Sequence, residues 1–269
     1  MKNFNGKVSI IMPAYNEGSR IAFSIEETVK TFKEFGCSWE LIIVDDQSTD
    51  DTYEKAIALS RKYPNHVMVK RNFYNLGKGR AIKKALHYVS GEYIVFLDAD
   101  MDLHPIQIQT LFDIMRLDDA DVVIGSKLHP NSVVIYPWHR RIISLVYFCL
   151  VKVAFDLPCR DTQTGLKLFK TKVLRDVFSR ILVRKFAFDI EILANAHHLG
   201  YRIADAPIVY LPKNSFGWIT PRTILRTLWD TLKVFFRMYF RFDKYYDRID
   251  YYRRKNLAKE FRRMRRKMS

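Results

Sequence analysis

The sequence has few cysteines, and their spacing excludes the common cysteine-based frameworks. Only three cysteines occur in 269 residues, Cys37, Cys149 and Cys159, and no two of them form a CxxC pair. The seven histidines include no HExxH motif. We therefore expect neither a zinc site nor a disulfide framework, and the predicted compartment is the reducing cytoplasm.

Long hydrophobic runs are also lacking. The longest apolar run, Ile142 to Phe155, is interrupted by Lys152 and falls short of the roughly 20 residues that a membrane-spanning helix needs. Near the N-terminus, Val8 to Met12 is too short for the core of a signal peptide. The sequence therefore predicts a cytoplasmic protein without a transmembrane span.

Acidic residues are too few to balance the basic ones. The chain has 29 Asp and Glu against 45 Lys and Arg, which gives a net charge of +16. Residues 222–269 hold 16 Lys and Arg and 5 Asp and Glu, so this segment carries +11 and the preceding residues only +5. The partner of such a segment is expected to be anionic, and nucleic acid and the negative cytoplasmic leaflet of a membrane both qualify.

What the chain does have is a repeated order of apolar strand, polar turn and helix. A hydrophobic content of 48% supports one sizeable domain. Short runs rich in β-branched and aromatic residues predict buried strands at residues 7–13, 40–44, 67–70, 93–97 and 121–126, with helices between them ending near residues 35, 63 and 89. This order is typical of an α/β domain with a mostly parallel sheet flanked by helices.

The second half of this domain is predicted in less detail. Residues 127–141 are predicted as a loop and residues 142–155 as an apolar helix. A turn at residues 161–165, a short strand at 166–169, a helix at 186–199 and a last strand at 202–211 follow. Residues 1–213 are therefore predicted to form one domain, followed by a tail from 214 to 269.

The segment around the fourth strand suggests a metal site. Asp98, Asp100 and Asp102 follow the buried run Tyr93 to Leu97 at every second position. In open α/β sheets ligands bind at the carboxyl ends of the strands, and side chains at period two share one face. Three crowded carboxylates require a cation, and oxygen ligands suit Mg²⁺ or Mn²⁺. An EF-hand calcium loop is excluded, because Leu103 stands where that loop needs glycine.

The tail begins with a pattern of a different kind. Between Arg222 and Arg241, large apolar residues recur at steps of three and four while basic residues take other positions, which predicts an amphipathic helix with a basic face. Aromatic residues beside Lys and Arg suit a helix that lies in a membrane interface. The alternative is a helix that packs on its own domain.

Several motifs together resemble family 2 glycosyltransferases of the GT-A fold. They are Pro13-Ala14-Tyr15-Asn16-Glu17, the pair Asp45-Asp46, the run Asn75-Leu76-Gly77-Lys78-Gly79, and Asp98-Ala99-Asp100. The segments DTQTGLKLF from Asp161 and FAFDIE from Phe186 are similar to those of the polyprenyl-phosphate hexosyltransferases, which act on dolichyl phosphate and related lipids. The resemblance implies a GT-A-like fold, a nucleotide sugar (GDP-mannose or UDP-glucose), a divalent metal, and a lipid phosphate acceptor that attacks the anomeric carbon with inversion.

The resemblance also implies roles for residues of the donor site. Pro13, Tyr15 and Glu17 would line the nucleoside, Asp45 would hold the base or ribose, and Lys78 would lie nearby. Asp98 and Asp100 would bind the nucleotide sugar through a metal ion, with Asp102 as a further ligand. Such a metal stabilises the charge that develops on the departing nucleoside diphosphate.

A second set of residues is implied for the acceptor. Arg140, with Ser144 one helical turn later, resembles the acceptor-phosphate site, and Arg141 is the alternative if the register shifts by one. Lys127 and Lys213 stand where the family has arginines, so the charge is kept and the bidentate guanidinium is lost. The catalytic set would be completed by Asp189, which could contact sugar hydroxyls.

Three functions remain open at this point. The first is inverting, metal-dependent transfer of mannose or glucose from a nucleotide sugar to a polyprenyl phosphate, at the cytoplasmic face of a membrane that the tail contacts. The second is transfer to a saccharide or other hydroxyl acceptor, which would need a base such as Asp189. The third is nucleic-acid binding through the basic tail, although no nucleic acid is expected as partner because charge alone supplies only nonspecific affinity.

Overall fold

The computed structural model of the chain describes residues 6–135, 138–178, 180–181, 188–211 and 221–240. Nine strands lie within these ranges: β1 Lys7–Ala14, β2 Ser38–Asp45, β3 Val67–Arg71, β4 Tyr93–Phe96, β5 Val122–Ser126, β6 Val133–Val134, β7 Lys167–Lys170, β8 Ile203–Pro207 and β9 Val209–Tyr210. Seven of them form one sheet in the order β3-β2-β1-β4-β7-β5-β8, and β6 pairs with β9 in a small second sheet. All neighbours in the large sheet are parallel except β7, which runs antiparallel to both β4 and β5.

Helices cover both faces of the large sheet. Those in the described residues are α1 Ile21–Phe35, α2 Thr52–Lys62, α3 Lys78–Ala85, α4 Ile108–Leu117, α5 Trp138–Phe155, α6 Thr171–Phe178, α7 Phe188–His198 and α8 Pro221–Phe240. One apolar cluster joins the sheet to α1, α2 and α4, and a second joins its other face to α3, α5, α6, α7 and α8. The predicted α/β architecture, a mostly parallel sheet flanked by helices, is therefore confirmed.

The second half of the chain departs from the predicted elements in three places. Residues 127–141 are not wholly a loop, because β6 and the first turn of α5 lie within them. The last predicted strand is divided into β8 and β9, which belong to different sheets. Helix α6 was not predicted, since its eight residues are too few for a clear apolar period.

The amphipathic helix α8 packs on the domain with one face and leaves the other exposed. Val234 and Thr231 are buried, and the Thr231 hydroxyl lies 2.9 Å from that of Tyr147 on α5. On the other face, Trp229 and Phe236 are 61% and 54% exposed. The packing of one face on the domain is therefore confirmed, and contact of the exposed face with a membrane stays a prediction. Across the described residues, none of the helices combines the length and apolar character required to cross a bilayer.

Candidate active site

The polar turns that follow β1, β2 and β4 meet at one edge of the sheet. Each contains a non-glycine residue in the left-handed region, namely Asn16 (φ 54°), Gln47 (φ 64°) and Met101 (φ 58°). Such conformations cost free energy and gather at functional sites. Because Met101 turns the chain between Asp100 and Asp102, these carboxylates do not share a face by strand alternation, and that part of the prediction is corrected.

The three aspartates nevertheless line one cavity, which we call the carboxylate cavity. It has a volume of about 150 Å³, and its other walls include Lys127, Gln163 and Tyr210. The amide N–H of Asp102 donates to Oδ1 of Asp100 at 3.1 Å, and the Tyr210 hydroxyl donates to Oδ2 of Asp102 at 3.0 Å.

Asp98 is held by an ion pair and by a close backbone contact. Its Oδ1 lies 2.5 Å from Nζ of Lys78, the second residue of the Gly77-Lys78-Gly79 turn. A Cβ atom added to Gly165 would fall 2.0 Å from Oδ2 of Asp98. Only glycine therefore allows the turn at residues 161–165 to approach the carboxylate this closely.

Burial and neighbouring charges shift the pKa values of Asp100 and Asp98 in opposite directions. Burial, and then the charges of Asp98 and Asp102, raise the pKa of Asp100 from 3.8 to about 7. Burial would also raise the pKa of Asp98, but Lys78 and two further lysines outweigh it and hold that pKa below its usual value. The pKa of Lys78 is raised because the charges of Asp98 and Asp189 outweigh its own desolvation. Lys78 therefore neutralises Asp98, whereas no ion pair with a basic side chain is found for Asp100 among the described residues.

These residues fit a divalent cation whose coordination is completed by a bound ligand and by water. Among the residues that the structure describes, no three His, Cys, Asp or Glu side chains form a ready metal site. Mg²⁺ and similar cations are commonly held by one or two carboxylates together with substrate phosphates and waters. Burial and the neighbouring carboxylates raise the pKa of Asp100, and a bound cation would favour its ionised form.

A second cavity, the strand-end cavity, adjoins the first. It has a volume of about 230 Å³ and shares Asp98 and Asp100 with the carboxylate cavity. Four further residues of the predicted nucleotide site line it, Pro13, Tyr15, Glu17 and Lys78. The structure thus brings together residues from three separate motifs of the sequence.

Asp45 is the exception, and its predicted contact with the nucleotide is corrected. Its side chain is fully buried, lies 2.9 Å from Nε of Arg71, and accepts from the backbone N–H of Ser48. The neighbouring Asp46 lines the strand-end cavity instead, and its carboxylate accepts from the N–H of Gly77 at 2.7 Å. Nothing in the sequence indicates which of the two adjacent aspartates, Asp45 or Asp46, faces the cavity.

A third cavity is a predominantly apolar groove between α5, α8 and the turn at residues 161–165. It has a volume of about 400 Å³ and shares Lys127 and Gln163 with the carboxylate cavity. Its apolar walls are Leu128, Ile142, Ile143, Val146, Phe148, Leu150, Val151 and Leu228. The three cavities therefore form a series from the ends of β1 and β4 to the surface of α5.

The predicted acceptor residues have different outcomes in this groove. Ser144 lines it, and Lys127 lies 3.5 Å from Asp161 with its ammonium 5.6 Å from the ring centre of Tyr210. Arg140 belongs to α5 one turn before Ser144, but its side chain lies outside the described residues, as does all of Lys213.

Asp189, predicted to be catalytic, lines none of these three cavities. It is 8% exposed, and its Oδ1 accepts from Nζ of Lys167 at 2.7 Å. Lys167 is 1% exposed and also donates to the backbone carbonyl of Thr164. The sequence analysis missed Lys167, although a lysine inside the apolar strand LKLF is a detectable signal of a buried partner.

Comparisons with known proteins agree with this geometry. Residues 9–178 match the family model described as glycosyl transferase family 2. The chain is 30% identical over 210 residues to the dolichyl-phosphate beta-glucosyltransferase ALG5A of Trichomonas vaginalis, covering 75% of this chain and 64% of that protein. It is 30% identical over 213 residues to the dolichyl-phosphate beta-glucosyltransferase of Dictyostelium discoideum, covering 75% and 65%. The chain thus spans slightly under two thirds of the length of these relatives.

The fold is also found among solved structures. Glucosyl-3-phosphoglycerate synthase from Mycobacterium tuberculosis, in complex with phosphoglyceric acid, matches with a TM-score of 0.63 and 21% identity, covering 86% of this chain and 79% of that one. Another structure of that enzyme, with Mn²⁺, uridine diphosphate and phosphoglyceric acid, matches with the same TM-score. Because the family model spans more than half of the sequence, the chain belongs to glycosyl transferase family 2.

Proposed function

We propose that the protein transfers a hexose from a nucleotide sugar to a polyprenyl phosphate, with inversion at the anomeric carbon. The observation that carries this proposal is the series of three neighbouring cavities, each of which shares lining residues with the next. The strand-end cavity and the carboxylate cavity share Asp98 and Asp100, and the carboxylate cavity and the apolar groove share Lys127 and Gln163. A polar donor and a lipid acceptor can therefore meet at one point from opposite sides.

In this proposal the strand-end cavity holds the nucleoside diphosphate of the donor. Tyr15 offers an aromatic face that is 46% exposed, and Lys78 supplies positive charge beside the diphosphate. Glucose is the first candidate for the sugar, because relatives of this chain are dolichyl-phosphate beta-glucosyltransferases. GDP-mannose remains the alternative donor.

Asp100 and Asp102, with Asp98 nearby, would hold Mg²⁺ or Mn²⁺ together with the diphosphate. The bound cation would stabilise the negative charge that develops on the leaving nucleoside diphosphate. Lys78 keeps Asp98 neutralised, so the donor meets fewer uncompensated negative charges as it enters the site.

The acceptor end suits a phosphate better than a hydroxyl. A phosphate oxygen is ionised near neutral pH, so it can attack the anomeric carbon without a general base while the bond to the diphosphate breaks. Asp189 is buried and paired with Lys167, which argues against its use as a base for a hydroxyl acceptor. Lys127, and Arg140 by its position in the sequence, would supply cations for the acceptor phosphate.

The apolar groove and the surface around it suit an isoprenoid chain in a membrane interface. Val146 and Val153 on α5 are 63% and 89% exposed, and Trp229 and Phe236 on the neighbouring α8 are also well exposed. Exposed apolar surface of this kind marks an interaction site, and the net charge of +16 favours an anionic membrane. We propose a peripheral location on the cytoplasmic face.

A donor and acceptor panel tests the proposal. The full chain would be incubated with UDP-glucose or GDP-mannose, with MnCl₂ or MgCl₂, and with a short polyprenyl phosphate or phosphoglycerate as acceptor. We expect a glycosylated lipid phosphate of inverted configuration, and loss of product when EDTA is added. Transfer to phosphoglycerate but not to any polyprenyl phosphate would refute the proposed acceptor.

A further inference from the structure

Gln163 is an exposed polar residue in an otherwise buried turn. In the segment Asp161-Thr162-Gln163-Thr164, the other three residues are buried and only Gln163 is exposed. It lines both the carboxylate cavity and the apolar groove. Its side chain therefore borders the point at which the two cavities join.

The backbone of this turn is held from several directions. The carboxylate of Asp161 accepts from the N–H of Gln163 at 3.0 Å and from the N–H of Lys127 at 3.2 Å. The carbonyl of Thr164 accepts from the buried ammonium of Lys167. Because these groups are buried and paired, the position of Gln163 is fixed before any ligand arrives.

The hydrogen bonds of Tyr147 define the orientation of the Gln163 amide. The Thr231 hydroxyl has one proton, which it donates to the carbonyl of Thr227 at 2.8 Å. Tyr147, whose oxygen lies 2.9 Å from that of Thr231, must then be the donor in their contact. Burial raises the pKa of Tyr147 to about 12, and the side chain of Gln163 opposes that rise as a hydrogen-bond partner of the phenol oxygen, so the amide nitrogen of Gln163 is the group that faces this oxygen.

This count leaves one amide proton for a ligand. A glutamine side chain has two N–H groups, and the bond to Tyr147 uses one of them. Among the described residues, no partner is found for the other. An N–H donor beside the Lys127 ammonium, between an apolar groove and the aspartate cluster, has the chemistry of an anion ligand.

We propose that Gln163 binds the phosphate of the lipid acceptor through this N–H, and that Tyr147 acts as the positioning residue that fixes the amide. The inference rests on the proposed function, which supplies the acceptor. It adds a neutral N–H group to the cationic contacts, at the border that the carboxylate cavity and the apolar groove share. Tyr147 also contacts Thr231 of α8. The position of α8 is therefore linked through Tyr147 to the orientation of the Gln163 amide.

Gln163→Glu is the main test, because it keeps the shape of the side chain, removes the N–H donor and adds a negative charge. Farnesyl phosphate would serve as acceptor, with UDP-glucose and MnCl₂. We expect the acceptor KM to rise about 10- to 100-fold, the range associated with a hydrogen bond to a charged group. The Kd of the donor, measured by calorimetry, should stay within about twofold, since the residue lies on the acceptor side.

Two further readouts separate binding from folding. Tyr147→Phe should raise the acceptor KM by a smaller factor, since the amide keeps its donor but loses its anchor. Gln109→Glu makes the same chemical change on α4, at the opposite face of the sheet, and should leave the acceptor KM unchanged.

The outcomes distinguish this inference from the proposed function. If the wild-type protein transfers hexose to farnesyl phosphate and the Gln163→Glu variant has the same acceptor KM, the inference is wrong while the function stands. A parallel loss of donor affinity would also overturn it, because Gln163 would then belong to the donor site. If the wild-type protein neither binds farnesyl phosphate nor transfers hexose to it, both fail together.

Discussion

Replacing Asp100 with Asn should stabilise the metal-free protein at neutral and higher pH. In the folded chain the pKa of Asp100 is raised from 3.8 to about 7 by burial and by the charges of Asp98 and Asp102. The folded state therefore binds more protons at this position than the unfolded chain, and the stability of the wild-type protein decreases as pH rises through this window. Asparagine cannot ionise, so the variant avoids this cost.

The magnitude follows from the size of the shift. Each pKa unit corresponds to about 1.4 kcal/mol, and with a discount for the coupling among the three acids the gain is about 2 to 4 kcal/mol above pH 7. The gain should become small near pH 4, where Asp100 is protonated in the folded chain and about half protonated in the unfolded chain. For a chain of this size the midpoint of thermal unfolding would rise by roughly 4 to 16 °C.

The assay is thermal unfolding in EDTA at several pH values between 4 and 8. Asp113→Asn on α4 is the control, because that carboxylate is on the surface, with 49% of its side chain exposed. Added Mn²⁺ should reverse the order, since only the wild-type protein keeps the full ligand set. Equal unfolding midpoints for wild type and the Asp100→Asn variant at pH 8 would refute the electrostatic argument.

The other predictions concern the donor, the acceptor and the membrane. Lys78→Met should weaken UDP binding about 10- to 100-fold in calorimetry, because an ammonium is lost beside the diphosphate, and unchanged affinity would remove Lys78 from the donor site. Arg140→Ala should cost about 2 to 4 kcal/mol in kcat/KM for lipid phosphate with donor affinity preserved, and a parallel loss of donor affinity would assign Arg140 to the diphosphate instead. The double variant Trp229→Asp and Phe236→Asp should lose binding to anionic vesicles in a flotation assay, whereas Leu117→Asp on the opposite face, where that leucine is 80% exposed, should not. Retention of vesicle binding by the double variant would show that this face of α8 does not contact lipid.

The first half of the domain was accessible from the sequence because its signals are local. Five apolar runs followed by polar turns predicted β1 to β5, and parallel pairing then required their carboxyl ends to meet at one edge. The aspartates after β4 could therefore be placed in a site without knowledge of the sheet order. Family membership was accessible for the same reason, since its motifs lie on these turns in a fixed order.

Distinctions between neighbouring residues were not accessible in this way. Asp45 and Asp46 are adjacent acids at one strand end, yet Asp45 forms an ion pair with Arg71 whereas Asp46 lines the strand-end cavity. The alternation of Asp98, Asp100 and Asp102 implied a common face, but the left-handed conformation of Met101 changes their directions. A pattern of residue types reports burial and period, and it carries no information about which partner reaches a side chain from elsewhere in the chain.

By itself the sequence determined the α/β class, the strand-end location of the acids and the apolar character of α5 and α8, because each depends on periodicity within about 20 residues. Only the tertiary structure decided that β7 enters the sheet between β4 and β5 in the antiparallel direction. That insertion carries Gly165 against Asp98 and sets Gln163 between the carboxylate cavity and the apolar groove. The physical reason is that strand order is selected by the summed packing of both sheet faces, and these contacts join residues that are far apart in the chain.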